Sequence, residues 1–174
     1  KYSAPTSMGL IQKLANIKKQ EWIKTTNQSK AVCGRTIYMT TDTGLLKNDR
    51  FAALAGIELV KVEPGYALAK MEIEEKHLNA LNIVQGGATF TLADFAFAAA
   101  SNAHGQAAVG INACISYFQA PKGKVLFAEA TELHASRRLA SYNVDVRDEN
   151  DELIARFTGT VYKKKEKLNF NKSG

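Results

Sequence analysis

Beyond residue 50 the chain sorts into blocks of alternating or continuous apolar positions. Residues 56–62 form a short, mostly apolar run stopped by Glu63-Pro64-Gly65, a turn signal. In residues 66–74, Ala67, Ala69, Met71 and Ile73 share one face, and Lys70, Glu72 and Glu74 share the other. That alternation predicts a half-buried strand, joined to the preceding run as a hairpin. Residues 76–85 are an Asn-containing connection. Gly86-Gly87 then opens residues 88–102, whose alanines, Leu92 and three phenylalanines leave no polar face. A helix apolar all round is a buried helix, and His104-Gly105 ends it with a residue suited to a C-terminal cap.

Four strand-like runs follow, over residues 107–119, 125–135, 141–147 and 153–161. In the third, Tyr142, Val144 and Val146 oppose Asn143, Asp145 and Arg147. In the fourth, Leu153, Ala155, Phe157, Gly159 and Val161 alternate with Arg156, Thr158 and Thr160. Lys163-Lys164-Lys165 reads as a solvated strand end, with lysines blunting a sheet edge. The predicted order, β-β-α-β-β-β-β, reconciles an apolar helix with six strands if an antiparallel sheet wraps the helix. This is an α+β architecture, the hotdog fold: about six antiparallel strands around one long apolar helix. It is assigned to residues 48–164, with residues 165–174 as a C-terminal tail.

The length of 174 residues suits one domain with a sizeable core. The net charge of +6 suggests nucleic-acid binding until it is divided along the chain. Residues 1–38 carry seven Lys/Arg against Glu21 alone, and residues 39–174 carry 16 basic and 16 acidic side chains. The main domain is therefore neutral and lacks the electrostatic footprint of a phosphate-backbone binder. Residues 1–38 form a basic N-terminal extension. Three readings stay open for it: a flexible or expression-derived segment, an amphipathic helix over residues 8–24, or the tail of a targeting peptide. No apolar stretch is long and uninterrupted enough to predict a membrane span. Cys33 and Cys114 are far apart and His77, His104 and His134 lack ligand spacing. Reduced thiols in a cytoplasmic compartment are expected, and no metal site or bound cofactor.

The chemistry concentrates in residues 77–102. Asp94 is the only ionisable residue between His77 and His104. A carboxylate in the second turn of an apolar helix is expensive to bury, and burial raises its pKa toward that of a general base or nucleophile. Gly86-Gly87, at the helix start, offers unpaired N–H groups and the positive end of the helix dipole to a developing oxyanion. From these residues alone two roles stand side by side: catalysis, or a carboxylate that pairs with a neighbouring chain or caps a loop. His77 is expected to make a loop hydrogen bond, His104 to end the helix, and Asn102, Tyr117 and Phe118 to pack or cap.

The run HLNALNIVQGGATFTLADFAFAAASN resembles the signature of the phenylacetic-acid-degradation thioesterases, HxNxxGxxHGGxxFTLADxAFAxAxN. The likeness extends over about residues 48–164. It implies hydrolysis of acyl-CoA thioesters, aromatic or medium-chain, to a free acid and coenzyme A, which enters as part of the substrate. It further implies Asp94 as nucleophile or base, the Gly86 N–H on the thioester carbonyl, and Asn79 orienting water or substrate. Gly87 and Phe90 would border the substrate, and Arg137, Arg138 or Lys124 would meet the CoA phosphates. The acyl group is expected along the helix beside Phe90 and Phe95, in a homodimer or dimer of dimers. Two departures stand out. Gln85 replaces the usual His, removing any titrating imidazole but keeping hydrogen bonds. Asn82 replaces the usual Gly and tolerates positive φ. Two further expectations compete: an acyl-CoA binder without catalysis, and a hydroxyacyl-thioester dehydratase, whose His–carboxylate signature this chain lacks.

Overall fold

The computed structural model describes residues 48–168, and the expectations for residues 1–38 lie outside them. A short helix, α1 (Arg50–Leu54), is capped by Asp49, which accepts hydrogen bonds from the N–H groups of Phe51 and Ala52 at 3.1 and 2.9 Å. Strands β1 (Ile57–Glu63) and β2 (Tyr66–Glu72) follow, then the long helix α2 (Gly86–Asn102). Strands β3 (Gln106–Tyr117), β4 (Val125–Ala135), β5 (Leu139–Asp148) and β6 (Leu153–Lys167) complete the described residues. All pairings are antiparallel, in the order β1-β2-β4-β5-β6-β3. A six-stranded antiparallel sheet carrying one long helix is the predicted hotdog fold.

The alternation read from the chain becomes the inner face of the sheet. Ala67, Ala69 and Met71 of β2 are buried with Leu126, Ala128 and Ala130 of β4, and with Tyr142, Val144 and Val146 of β5. Leu92, Ala96, Phe97 and Ala100 of α2 join the same core. Alanine at so many facing positions lets the helix lie close to the sheet, with Phe97 as the main wedge. Its ring packs against Tyr142 and Phe157 at centroid distances of 5.5 and 5.3 Å. Gly159 makes room for that wedge: a Cβ there would lie 2.8 Å from both Phe97 and Phe157. Because both rings are buried, Gly159→Ala is expected to cost about 1–3 kcal/mol. Chemical denaturation of the variant checks this, and an unchanged midpoint would refute the packing argument.

Two expectations about the chain's end and the helix are corrected. The C-terminal tail does not begin at residue 165: β6 continues to Lys167, and because its pairing with β5 stops at Tyr162, the lysine run stands on a strand end flanked by β3 alone. Lys163 pairs with Ala108 and Lys167 with Gln106, because β3 begins immediately after the helix. The outermost strands of the sheet are β1 and β3. Nor is α2 buried all round, since Gly87 and Asp94 are exposed and Thr91 and Ala98 are half-buried, forming an open stripe. The stripe faces the side on which β3, the outermost strand, leaves its own residues largely uncovered.

Candidate active site

The loop before α2 is built by side chains that bond to its backbone. His77 is buried; its Nδ1 accepts from Glu74 N–H at 2.9 Å, so its Nε2–H donates to the Ala55 carbonyl at 2.9 Å. The loop hydrogen bond expected of it is thus two bonds, which tie the loop to the end of α1. Asn79 Oδ1 accepts from Leu81 N–H at 2.8 Å and closes the turn. Asn82 adopts φ 57°, the left-handed conformation foreseen for it in place of Gly. The Asn79 amide nitrogen keeps its donor capacity for something outside the loop.

Gln85 is the N-cap of α2, its Oε1 accepting from Ala88 N–H at 3.1 Å while the side chain lies over Gly87. Its departure from His therefore leaves a working cap and an amide donor beside the helix start. Among the described residues, the N–H groups of Gly86 and Gly87 make no hydrogen bond. They are the orphan donors that every helix start leaves, at its positive end. Tyr117 of β3 donates to the Gly86 carbonyl at 2.8 Å and holds that peptide from the other side. It was expected to pack or cap. Phe118 is exposed, whereas Asn102 ties α2 to the Ala108 backbone, with its Oδ1 accepting from Ala108 N–H at 2.9 Å.

Asp94 is the ninth residue of α2 and so lies in its third turn, not its second. Its side chain is reached by water in the single chain, contrary to the expectation of burial. Surrounding protein nevertheless raises its pKa, chiefly by desolvation and then through the negative charge of Asp49. Access and crowding coexist because the carboxylate sits at a groove between α2, β3 and β6, of about 410 Å³. Among the described residues it has no hydrogen bond or ion pair, so neither capping nor pairing within the chain explains it.

Asp49→Asn keeps a cap of equal quality and removes the charge. The Asp94 titration, followed by carbon-detected NMR, is expected to move to lower pH with thermal stability unchanged. A midpoint that stays put would show that the charge of Asp49 does not reach Asp94.

Other expected site residues are not brought together. Phe90 packs edge-on against Phe157 at 5.4 Å, and Phe95 is 6% exposed within the core, so neither lines the groove. Arg137 and Arg138 lie exposed in the β4–β5 turn, at the C-terminal end of α2. Lys124 precedes the opposite end of β4, so the two basic groups stand at opposite ends of an eleven-residue strand. His104 accompanies Glu132 at 2.8 Å, and Tyr142 donates to the same carboxylate at 2.6 Å, well along α2 from Asp94.

Known proteins resemble this chain in sequence and fold. A sequence profile described as the thioesterase superfamily matches residues 81–155. The acyl-coenzyme A thioesterase PaaI of Escherichia coli is 31% identical over 121 residues, covering 68% of this chain and 86% of that protein. The chain belongs to the thioesterase superfamily. The crystal structure of E. coli PaaI superposes with a TM-score of 0.69 at 27% identity, over 72% of this chain and 91% of the other. A mutant structure of the phenylacetic acid degradation protein PaaI of Thermus thermophilus gives a TM-score of 0.62 at 37% identity, over 66% and 98%.

The thioesterase-superfamily match begins in the loop closed by Asn79 and runs through α2 to the start of β6, the part that positions Gly86 and Asp94. What residue-by-residue reading missed lies around that frame. Asp49, Tyr117, Ala108 and Gly110 carry no motif, and only the packing of α1 and β3 beside α2 draws them in.

Proposed function

We propose that this thioesterase-superfamily chain hydrolyses acyl-CoA thioesters through Asp94, in a site completed by a second copy of itself. The observation that carries this is the placement of Asp94: a water-accessible carboxylate with raised proton affinity and no hydrogen bond or ion pair among the described residues, at the mouth of a groove. That is the condition of a group that attacks a carbonyl or activates water.

Asp94 and the Gly86 N–H are eight residues apart on one straight helix, about 12 Å. Attack requires reacting atoms about 3–3.5 Å apart, so one chain's pair cannot serve one thioester. A two-fold axis beside α2 removes the conflict, setting Asp94 of one chain against the Gly86 N–H of the other. The exposed edge of β3, with Val109 and Ile111 uncovered, supports such a pairing. Antiparallel pairing of the two β3 edges would also bring the Arg137–Arg138 end of one chain beside the Gly86–Lys124 end of the other. The basic side chains separated in a single chain could then share one CoA. Gln85 and Asn79 contribute free amide donors at the carbonyl side, and Gly87 keeps the approach open. Cys114, an exposed thiol, suits a reducing cytoplasm.

Free-thiol release from a panel of aromatic and straight-chain acyl-CoAs tests the reading. Turnover of at least one class is expected. CoA binding without any turnover would overturn it in favour of a binding protein.

A further inference from the structure

Helix α2 starts on its two least constrained residues. Gly86 and Gly87 open it, and glycine surrenders more backbone freedom on ordering than any other residue. Gln85 caps the turn through the Ala88 N–H, a bond that holds neither glycine. The brace comes from outside the helix. Tyr117 of β3 donates its hydroxyl to the Gly86 carbonyl at 2.8 Å. In the helical ladder that carbonyl already takes the N–H of Phe90, so the phenol is not needed to satisfy a stranded acceptor. The ring also occupies the place of a Gly86 side chain: a Cβ there would lie 3.1 Å from the ring carbon that bears the hydroxyl. Glycine at this position therefore admits the tyrosine. The root of the ring is fixed in turn. Tyr117 pairs with Ala155 of β6, and the N–H of Phe118 donates to the Ile154 carbonyl at 2.9 Å. Desolvation raises the pKa of the phenol above its usual value, so the donor keeps its proton at neutral pH.

We infer that Tyr117 is a positioning residue for the reaction: from β3 it fixes the Gly86–Gly87 peptide, so that the N–H groups of both glycines are held as a pair of donors for the thioester carbonyl. The inference rests on the reading of this chain as a thioester hydrolase with Gly86 at the carbonyl. It adds to that reading a residue that touches neither the substrate nor the reacting atoms. Neither glycine N–H makes a hydrogen bond among the described residues. The planar unit that contains the Gly86 carbonyl also contains the Gly87 N–H. A hydrogen bond to its oxygen therefore orients that N–H and polarises it by cooperativity. The Gly86 N–H belongs to the preceding peptide and is restrained through the Gly86 Cα, whose torsions the tie limits. Donors aimed in advance cost no reorganisation when charge develops on the oxygen. Groups held from a strand keep their geometry better than groups held from a loop. A tyrosine anchored in the sheet and reaching to the helix start meets both conditions.

The test is Tyr117→Phe, which keeps the ring against Gly86 and removes only the hydroxyl. Thiol release is followed over a pH series with whichever acyl-CoA the wild type cleaves fastest, at concentrations where sedimentation gives both proteins the same mass. kcat is expected to fall about three- to tenfold, the worth of one neutral hydrogen bond, with KM within about twofold and the thermal midpoint unchanged. The pH profile should keep its shape, because a positioning residue moves no proton. In a Gly86→Pro background, where the ring locks φ and the N–H is gone, the same change should cost less than in the wild type. An unchanged kcat in Tyr117→Phe would overturn the inference, and so would losses that simply multiply in the double variant. A loss confined to the basic limb of the pH profile would make Tyr117 a proton donor instead. A loss that vanishes once the two proteins share one oligomeric state would make it an interface residue alone. If the wild type cleaves no thioester, the catalytic reading of Asp94 fails, and a positioning role falls with it.

Discussion

Asp94→Asn is expected to lower kcat for acyl-CoA hydrolysis by about 10²- to 10⁴-fold, the range by which a positioned acid–base group accelerates a reaction. A loss above this range would fit removal of a nucleophile. The fold should not suffer. Asn is nearly isosteric, the carboxylate forms no hydrogen bond or ion pair among the described residues, and water already reaches it. The sign of the stability effect follows from the titration. Desolvation, and then Asp49, raise the pKa of Asp94 above its unfolded value, so the folded chain holds that proton more tightly. Whatever stability this gives is present below the unfolded pKa and is lost as pH rises through the folded one. At neutral pH the variant, permanently neutral at this position, should therefore unfold no lower than the wild type. Thiol release and thermal unfolding on the same preparation decide the matter. Retained turnover in a folded Asp94→Asn variant would remove Asp94 from the chemistry.

The second large effect is expected at Gly86, and it separates the two halves of the site. Gly86 is the first residue of α2, where proline is tolerated because its missing N–H has no helical partner. Gln85, at φ −68° and ψ 134°, already has the extended backbone that a following proline demands. Gly86→Pro thus deletes one donor with little change to the helix, apart from a contact with the exposed ring of Tyr117. Removing a single oxyanion donor should lower kcat about 10²- to 10³-fold. Mixing this variant with Asp94→Asn then tests the shared site. If each site takes Asp94 from one chain and Gly86 from the other, mixed dimers carry one intact site and one doubly damaged site. An equimolar, re-equilibrated mixture should regain about a quarter of wild-type activity, by the symmetry of an isologous pair. No recovery, with subunit exchange verified by mass, would place both groups in the same chain's site and contradict the 12 Å separation along α2.

Strand periods were legible because the inner face is buried and the outer face is not: Tyr142, Val144 and Val146 stand out against Asn143, Asp145 and Arg147 whatever the fold. The helix was legible for the opposite reason, having no polar stripe. That same uniformity concealed its open side. Composition shows that Gly87, Thr91, Asp94 and Ala98 are small or isolated, but not that β3 ends the sheet beside them. Helix α1 escaped notice because five residues are too few for a helical period, although Asp49 bonds two successive N–H groups. The Lys163–Lys165 run marked a solvated strand end, as charge usually does, and only the register with Ala108 and Gln106 shows that the strand runs on beside β3 to Lys167. For the site, the residues with chemical identity were found and those with only shape were not. Gly110, on the wall of the groove, matters through the space that it leaves.

Tyr117 bears on how the protein should behave when scarce. It stands on the uncovered edge strand, 51% exposed, and its hydroxyl holds the carbonyl of Gly86. A second chain laid along β3 would cover that ring and steady the peptide whose N–H must meet the substrate. Catalytic competence then becomes a matter of mass action: specific activity should fall on dilution through the subunit dissociation constant and return on concentration. Weak assembly would read in a dilute assay as a sluggish enzyme, although every chain is intact.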